Sequence, residues 1–341
     1  MPIIETRDLK KVFRSIKREP GIGGALSTLF SRTYEEKIAV ENVNLALEAG
    51  EVIGYIGPNG AGKSTTIKML TGILVPSSGS IRVAGIVPHE RRRENAHNIG
   101  VVFGQRSQLY WDLPLRESFE LLRAIYGVPR DRYLQNLKHF SDILDLDRFM
   151  ATPVRQLSLG ERMRGDFAAA MIHDPKVVYL DEPTIGLDAI AKEAIRDFIA
   201  EINRERGTTV ILTTHDLADV ERLARRIILI DAGTVIYDGP LSRLREEYGT
   251  HRTLVVNLFE DPGEIAIDGA DVVAREGHSV QLRFDRRTIS AEALVRRVTE
   301  RYQITDIAII EPDIETIVRR IYTDGYERPL ATVAAPAEPL R

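Results

Sequence analysis

The chain contains no cysteine. Structural disulfides and thiolate metal sites are therefore excluded, and a reducing compartment fits. Tryptophan occurs once, and aromatic residues make up 6% of the 341 positions. Charge of one sign is also missing. The formal net charge is −4, so no general basic field points to nucleic acid. No uncharged apolar run approaches the roughly 18 residues that span a bilayer. The opening Met1-Pro-Ile-Ile-Glu-Thr-Arg lacks the apolar stretch of a secretion signal. The chain is thus expected to move no solute across a membrane by itself. With 43% apolar residues, there is ample material for a buried core, in one large domain or two ordinary ones.

Hydrophobic patterning divides the chain. Residues 3–60 read as strands, including the alternating Ile38–Leu47 and the buried Val52–Ile56. A basic, glycine-bearing insertion, about 15–36, interrupts them. A helix is expected to open at Gly62 and run to about Leu74, followed by strands at Ile81–Ala84 and Ile99–Phe103. Helical periodicity over about 112–174 marks a helical subdomain. Strands return at Val177–Leu180, Thr209–Leu212 and Ile227–Ile230, with a helix from about Ala189 to Arg204. This alternation predicts an α/β fold with a mostly parallel sheet. Residues 1–245 are taken as the main domain and 250–325 as a small α+β domain. The Ala- and Pro-rich tail 328–341 is expected to be disordered.

Two runs carry chemistry. Gly57-Pro-Asn-Gly-Ala-Gly-Lys-Ser64 matches the phosphate loop G-x-x-x-x-G-K-[ST] between a strand and a helix. Gly57, Gly60 and Gly62 let the backbone curl around an anion. The N–H groups of Pro58–Thr65, apart from the imide of Pro58, and the helix N-terminus then face phosphate oxygens. Asn59, Ala61 and Thr65 belong to that nucleotide contact. Lys63 reaches the β and γ phosphates, and the Ser64 hydroxyl is a Mg²⁺ ligand. In the second run, Val177-Val-Tyr-Leu-Asp-Glu-Pro183, an apolar strand ends in two acids, at the edge where open α/β sheets bind ligands. Asp181 is placed to hold Mg²⁺ and Glu182 to polarise the attacking water. These two motifs occur in many ATPases and GTPases, so a nucleoside triphosphate is the expected ligand and hydrolysis the expected reaction.

Further motifs select among nucleotide hydrolases. Leu157-Ser-Leu-Gly-Glu161 resembles the LSGGQ signature of ABC ATPases, Gln105 in Val101–Gln105 resembles their Q-loop, Gly186-Leu-Asp188 their D-loop, and His215 in Thr213–Asp216 their switch histidine. The order and spacing cover about residues 3–240. The resemblance implies a P-loop fold of ABC type, with Gln105 also near the metal and Phe13 stacking on adenine. An aromatic after a strand is as readily a core residue. It also implies a head-to-tail dimer in which Ser158, Gly160 and Glu161 of one subunit meet the ATP of the other, beside Asp188. Leu159 and Glu161 depart from the signature's usual Gly and Gln.

The insertion Lys17–Arg32, the run Val102–Pro114 and the stretch Glu311–Arg320 together resemble ABC-2 type exporters similar to daunorubicin-resistance, sodium-export and viologen-type ATPases. That implies a second ATPase subunit, two membrane permeases carrying a small molecule or ion, and a place on the cytoplasmic side of the cell membrane. Leu109, Tyr110 and Trp111 are expected to form an exposed docking loop, or else to pack on the helical subdomain. Two alternatives stand beside export: an importer ATPase with a regulatory C-terminal domain, and a soluble ABC ATPase acting on ribosomes or DNA repair.

Overall fold

The computed structural model describes residues 1–16, 34–104, 106–214, 216–261, 263 and 265–324. The insertion's core, Gln105, His215 and the tail lie outside them. Among the described residues, no helix is long and apolar enough to cross a membrane.

The chain forms two compact units, Met1–Asp238 and Gly239–Arg341. In the first, β1 (Ile4–Ile16), β2 (Tyr34–Leu47) and β4 (Ser78–Val83) make an antiparallel sheet in the order β2-β1-β4. Val43, Leu45 and Leu47 alternate with exposed neighbours, which is why β2 buries one face only. A second sheet has six strands in the order β5-β6-β7-β3-β8-β9: β3 (Val52–Ile56), β5 (Ile99–Phe103), β6 (Val177–Asp181), β7 (Thr209–Thr213), β8 (Arg226–Asp231) and β9 (Thr234–Pro240). The β3–β7, β3–β8, β5–β6 and β6–β7 pairings are parallel. Their strands are buried almost continuously, as expected of a sheet covered on both faces.

Helices α1 (Lys63–Leu70) and α2 (Arg92–Asn98) precede the helical subdomain. There α3 (Leu115–Tyr126), α4 (Arg130–Leu144) and α5 (Leu159–Met171) follow one another. Helix α1 stops short of Leu74. Gly72 sits at φ +79°, and a Cβ there would lie 2.5 Å from the Pro88 carbonyl oxygen, so the helix cannot continue. Helix α6 (Ala189–Arg206) starts on Asp188, whose carboxylate accepts from the Ala191 N–H, and ends at Gly207, φ 62°. Helix α7 (Leu217–Leu223) leads into β8.

The second unit opens with α8 (Leu241–Tyr248), where a boundary was expected from Arg245. Leu241 and Leu244 give it a buried stripe too short to stand out as periodicity. Its sheet runs β11-β12-β10-β13, with β10 (His251–Leu258), β11 (Asp271–Glu276), β12 (Ser279–Asp285) and β13 (Ile304–Ile310) all antiparallel. Strand β11 has no sequence signal, because it is an exposed edge that buries none of its residues fully. Leu254, Val256, Val280, Leu282 and Phe284 pack with Leu294 and Val298 of α9 (Ala291–Arg301). Helix α10 (Ile314–Asp324) closes the described chain.

Candidate functional site

A cleft of about 380 Å³ is lined by Asn59, Gly60, Gly62, Lys63, Ser64 and Thr65 of the glycine-rich run, Asp181 and Glu182 of the acid pair, and Phe13, Lys37 and Ala39. The first group follows β3 and the acids end β6, with β7 between those strands. The last three residues come from the antiparallel sheet. Phe13 pairs with Lys37 in the β1–β2 register. Phe13 is thus a cleft residue, not a core one. The residue is 39% exposed, with Lys11 Nζ 5.4 Å from its ring centroid.

The loop's backbone fits an anion. Gly60 and Gly62 have φ of +87° and +108°, and a Cβ at Gly60 would meet open space. At Gly57 a Cβ would lie 2.3 Å from the Ile230 carbonyl oxygen, so the loop's first turn requires glycine. Ala61 is buried. Lys63 Nζ donates to the carbonyls of Gly57 and, at 3.1 Å, Pro58. Burial lowers the Lys63 pKa, opposed by the charges of Glu182 and Asp181. Lys63 and both acids line the same cleft.

Asp181 is held from β7, where Thr213 Oγ1 donates to its Oδ1 at 2.5 Å. Its carbonyl accepts from the Gly104 N–H at 2.8 Å. The next residue, Glu182, has φ 54°, in the left-handed region that non-glycine residues rarely enter. Its N–H donates to the Thr213 carbonyl at 2.8 Å, which fixes the turn at a residue that lines the cleft. Gly104 crosses directly above: a Cβ there would stand 2.2 Å from the Glu182 carbonyl oxygen. A hydroxyl and a carboxylate, Ser64 and Asp181, in the same cleft as a lysine form an oxygen-donor set suited to a hard divalent cation.

Ser158, Gly160, Glu161 and Asp188 are not among the residues lining this cleft. Ser158 caps α5 through a reciprocal box: Ser158 Oγ accepts from the Glu161 N–H at 3.3 Å, and Glu161 Oε2 accepts from the Ser158 N–H at 2.8 Å. Glu161 thus has a structural partner within its own helix. The N–H groups of Leu159 and Gly160 stand outside the box. Leu159 is half exposed, and its Cδ2 lies 3.3 Å from where a Cβ on Gly186 would be, so the signature leucine leans on the D-loop glycine.

The run after Gln105 is less exposed than expected. Tyr110 and Trp111 are 41% and 54% exposed, but Leu109 is buried at 7%. Leu109 Cδ1 packs 3.1 Å from a Cβ position on Gly165 of α5. Trp111 lies 5.6 Å under the Arg162 guanidinium, also of α5.

Composition and motifs gave no sign of Lys37, Ala39 and Asp166, and singled out Gln105 and His215 but not Gly104 and Thr213 in the same runs. Asp166, buried on α5, accepts from Ser107 Oγ at 2.9 Å and Gln108 N–H at 3.0 Å. Burial pushes its carboxyl up to about 6, against those hydrogen bonds and the Arg162 charge. A carboxyl raised in the folded state is ionised only at a cost. Its contribution is therefore favourable in acid and lost as pH rises from about 4 to about 6. Relative to Asp166→Asn, the native chain is expected to lose up to about 1.4 kcal/mol per pH unit across that window. Urea titrations of both forms at stepped pH measure this. Parallel curves would contradict the assignment.

The family model for the ABC transporter matches residues 40–185. The chain is 35% identical over 220 residues to the ABC transporter ATP-binding protein NatA of Bacillus subtilis, covering 63% of this chain and 89% of that one. It is 33% identical to the daunorubicin resistance ATP-binding protein DrrA3 of Streptomyces coeruleorubidus, covering 86% and 94%. It is 29% identical to the methionine import ATP-binding protein MetN of Latilactobacillus sakei, covering 85% and 86%. Among solved structures, the dimeric post-hydrolysis state of the ATP-binding cassette MJ0796 with ADP and Pi superposes with a TM-score of 0.58 at 26% identity, over 70% of this chain and 98% of that one. The chain belongs to the ABC transporter family and is one of its ATP-binding, ATP-hydrolysing subunits.

Proposed function

We propose that this subunit drives export of a small molecule or ion through separate membrane permeases, from the cytoplasmic side of the membrane. The observation that carries the catalytic reading is the convergence of Lys63, Ser64, Asp181 and Glu182 on one cleft. In this reading Lys63 neutralises the β and γ phosphate oxygens of ATP. Phe13 stacks on the base. Pro58, Asn59, Gly60 and Thr65 line the phosphates. Ser64, Asp181 and Gln105 would hold Mg²⁺, which would supply neutralisation of phosphate charge. Glu182 accepts the proton of a water whose oxygen bonds to the γ phosphorus as the bond to ADP breaks. His215, outside the described residues, is assigned a role at that water by the family resemblance alone.

The second half of the site is assigned to another copy. Ser158 and Gly160 are exposed or half-buried at the start of α5 and away from their own chain's cleft. A helix N-terminus supplies donors and a favourable dipole to an anion. A partner's α5 set against the γ phosphate would close the sandwich. The dimeric MJ0796 cassette and the drug-resistance name of DrrA3 support this reading and the direction of transport. The likeness to MetN favours import as the second reading. Co-purification with membrane permeases that bind this subunit, then substrate-stimulated ATPase and flux assays in inside-out vesicles, separates the two. Flux into the vesicle lumen supports export, and flux out of it supports import.

Tyr110 and Trp111 are proposed as the permease contact. Trp111→Ala is expected to leave ATP binding unchanged and to reduce permease-stimulated turnover about 10-fold or more. Undiminished stimulation would return Trp111 to a role in packing against Arg162.

A further inference from the structure

Helices α4 and α6 are locked together at one end. The Arg206 guanidinium donates to Asn136 Oδ1 at 3.1 Å and to Asp174 Oδ1 at 2.6 Å, and lies 4.7 Å from the Phe140 ring centroid. Phe140 in turn meets Phe198 edge-on at 5.5 Å. This packing holds His139 of α4 opposite Glu201 and Glu205 of α6. His139 Nε2 is 3.6 Å from Glu201 Oε1 and 3.6 Å from Glu205 Oε2. The three donor atoms all lie within 4.8 Å of one another.

Three features make this unlike an ordinary surface ion pair. First, 3.6 Å exceeds the roughly 2.7–2.9 Å of a charge-assisted N–H···O⁻ bond. It approaches the edge of a tetrahedron with metal–ligand bonds of about 2.0–2.2 Å, which is about 3.3–3.6 Å. Second, Glu201 and Glu205 stand at i and i+4, where like charges repel. Third, both lie in the last turns of α6, where the helix dipole disfavours negative charge. Two further cations act on Glu205: Arg204, whose Nη2 lies 3.6 Å from its Oε1, and the charge of Arg206. The side chains are 30%, 25% and 46% exposed for His139, Glu201 and Glu205, so an ion can reach them.

We propose that His139, Glu201 and Glu205 form a site for a borderline divalent transition cation, with Zn²⁺ the best match, that staples the helical subdomain to helix α6. One imidazole with two carboxylates and a fourth position open to water is a donor set Zn²⁺ accepts. Mg²⁺, which prefers oxygen donors and octahedral geometry, suits it poorly. The site is separate from the nucleotide cleft and does not depend on the function proposed above.

The test uses full-length, nucleotide-free protein stripped with chelator and titrated with Co²⁺ and with Zn²⁺. One equivalent of Co²⁺ is expected to bind with the intense visible absorption of four-coordinate cobalt, and Zn²⁺ is expected to displace it. Zn²⁺ at 100-fold its Kd should raise Tm by on the order of 5 °C. His139→Ala and Glu201→Gln should each weaken binding at least about 10-fold and abolish the Tm shift, whereas Asp181→Asn should leave the band intact. Absence of a four-coordinate band in the native protein overturns the proposal. So does a band that survives both His139→Ala and Glu201→Gln, or one that Asp181→Asn removes.

Discussion

Glu182→Gln is expected to lower ATP turnover by about 10²- to 10⁴-fold, with ATP affinity held within about threefold. The two side chains match in size, so the exchange removes the proton acceptor and little else. The backbone constraint is untouched. Residue 182 keeps φ near 54° and its N–H bond to the Thr213 carbonyl. The phosphate contacts also survive, because Lys63 and the glycine loop belong to a different segment. If two copies close around ATP, the variant should be trapped at that stage. It should then run as a dimer with ATP and as a monomer with ADP in size-exclusion chromatography. Single-turnover assays and nucleotide-binding titrations give the two numbers. Turnover within threefold of the native protein would show that Glu182 serves the strand-end turn and that another group accepts the proton.

Gly104→Ala is expected to be nearly as damaging, although the Q-loop resemblance singles out only its neighbour Gln105. The new Cβ would stand 2.2 Å from the Glu182 carbonyl oxygen and 3.2 Å from that of Asp181. Both obstacles are backbone, so no rotamer change relieves the clash. The Gly104 N–H is simultaneously bonded to the Asp181 carbonyl. Relief must therefore pry β5 from the end of β6 and rotate the acid pair. The expected results are a loss of about 1–3 kcal/mol in stability and at least a 10-fold fall in turnover, since a misplacement of about 1 Å can cost that much or more. Thermal melts and steady-state ATPase assays measure both. A variant with native Tm and native turnover would show that the strand ends are more plastic than their hydrogen bonds suggest.

These two residues mark how far sequence reading reaches. Glu182 was readable because a buried apolar strand that stops on two acids has one sensible place in an α/β sheet. The phosphate loop was readable because its glycines and lysine are covalently close, so spacing alone determines their geometry. Gly104 has neither property. It matters only because β5 and β6 pair in a register that sets Phe103 against Asp181. Thr213 enters the site the same way, through the β6–β7 pairing with Asp181. Lys37 and Ala39 reach the cleft on a different sheet. Leu109 looked exposed beside Tyr110 and Trp111, yet a pocket against Gly165 buries it. Strand β11 escaped notice because an exposed edge needs no apolar alternation.

By itself, the sequence determined the nucleotide chemistry, the α/β architecture and the family, since each depends on local spacing or on the period of buried residues. Tertiary structure alone decided which distant segments share the cleft. It also put Ser158 and Gly160 at a helix start outside that cleft, and it brought His139 to within 3.6 Å of Glu201 and Glu205. The physical reason is that strand register and helix packing are set by burial summed over the whole core. No short run of residues carries that sum.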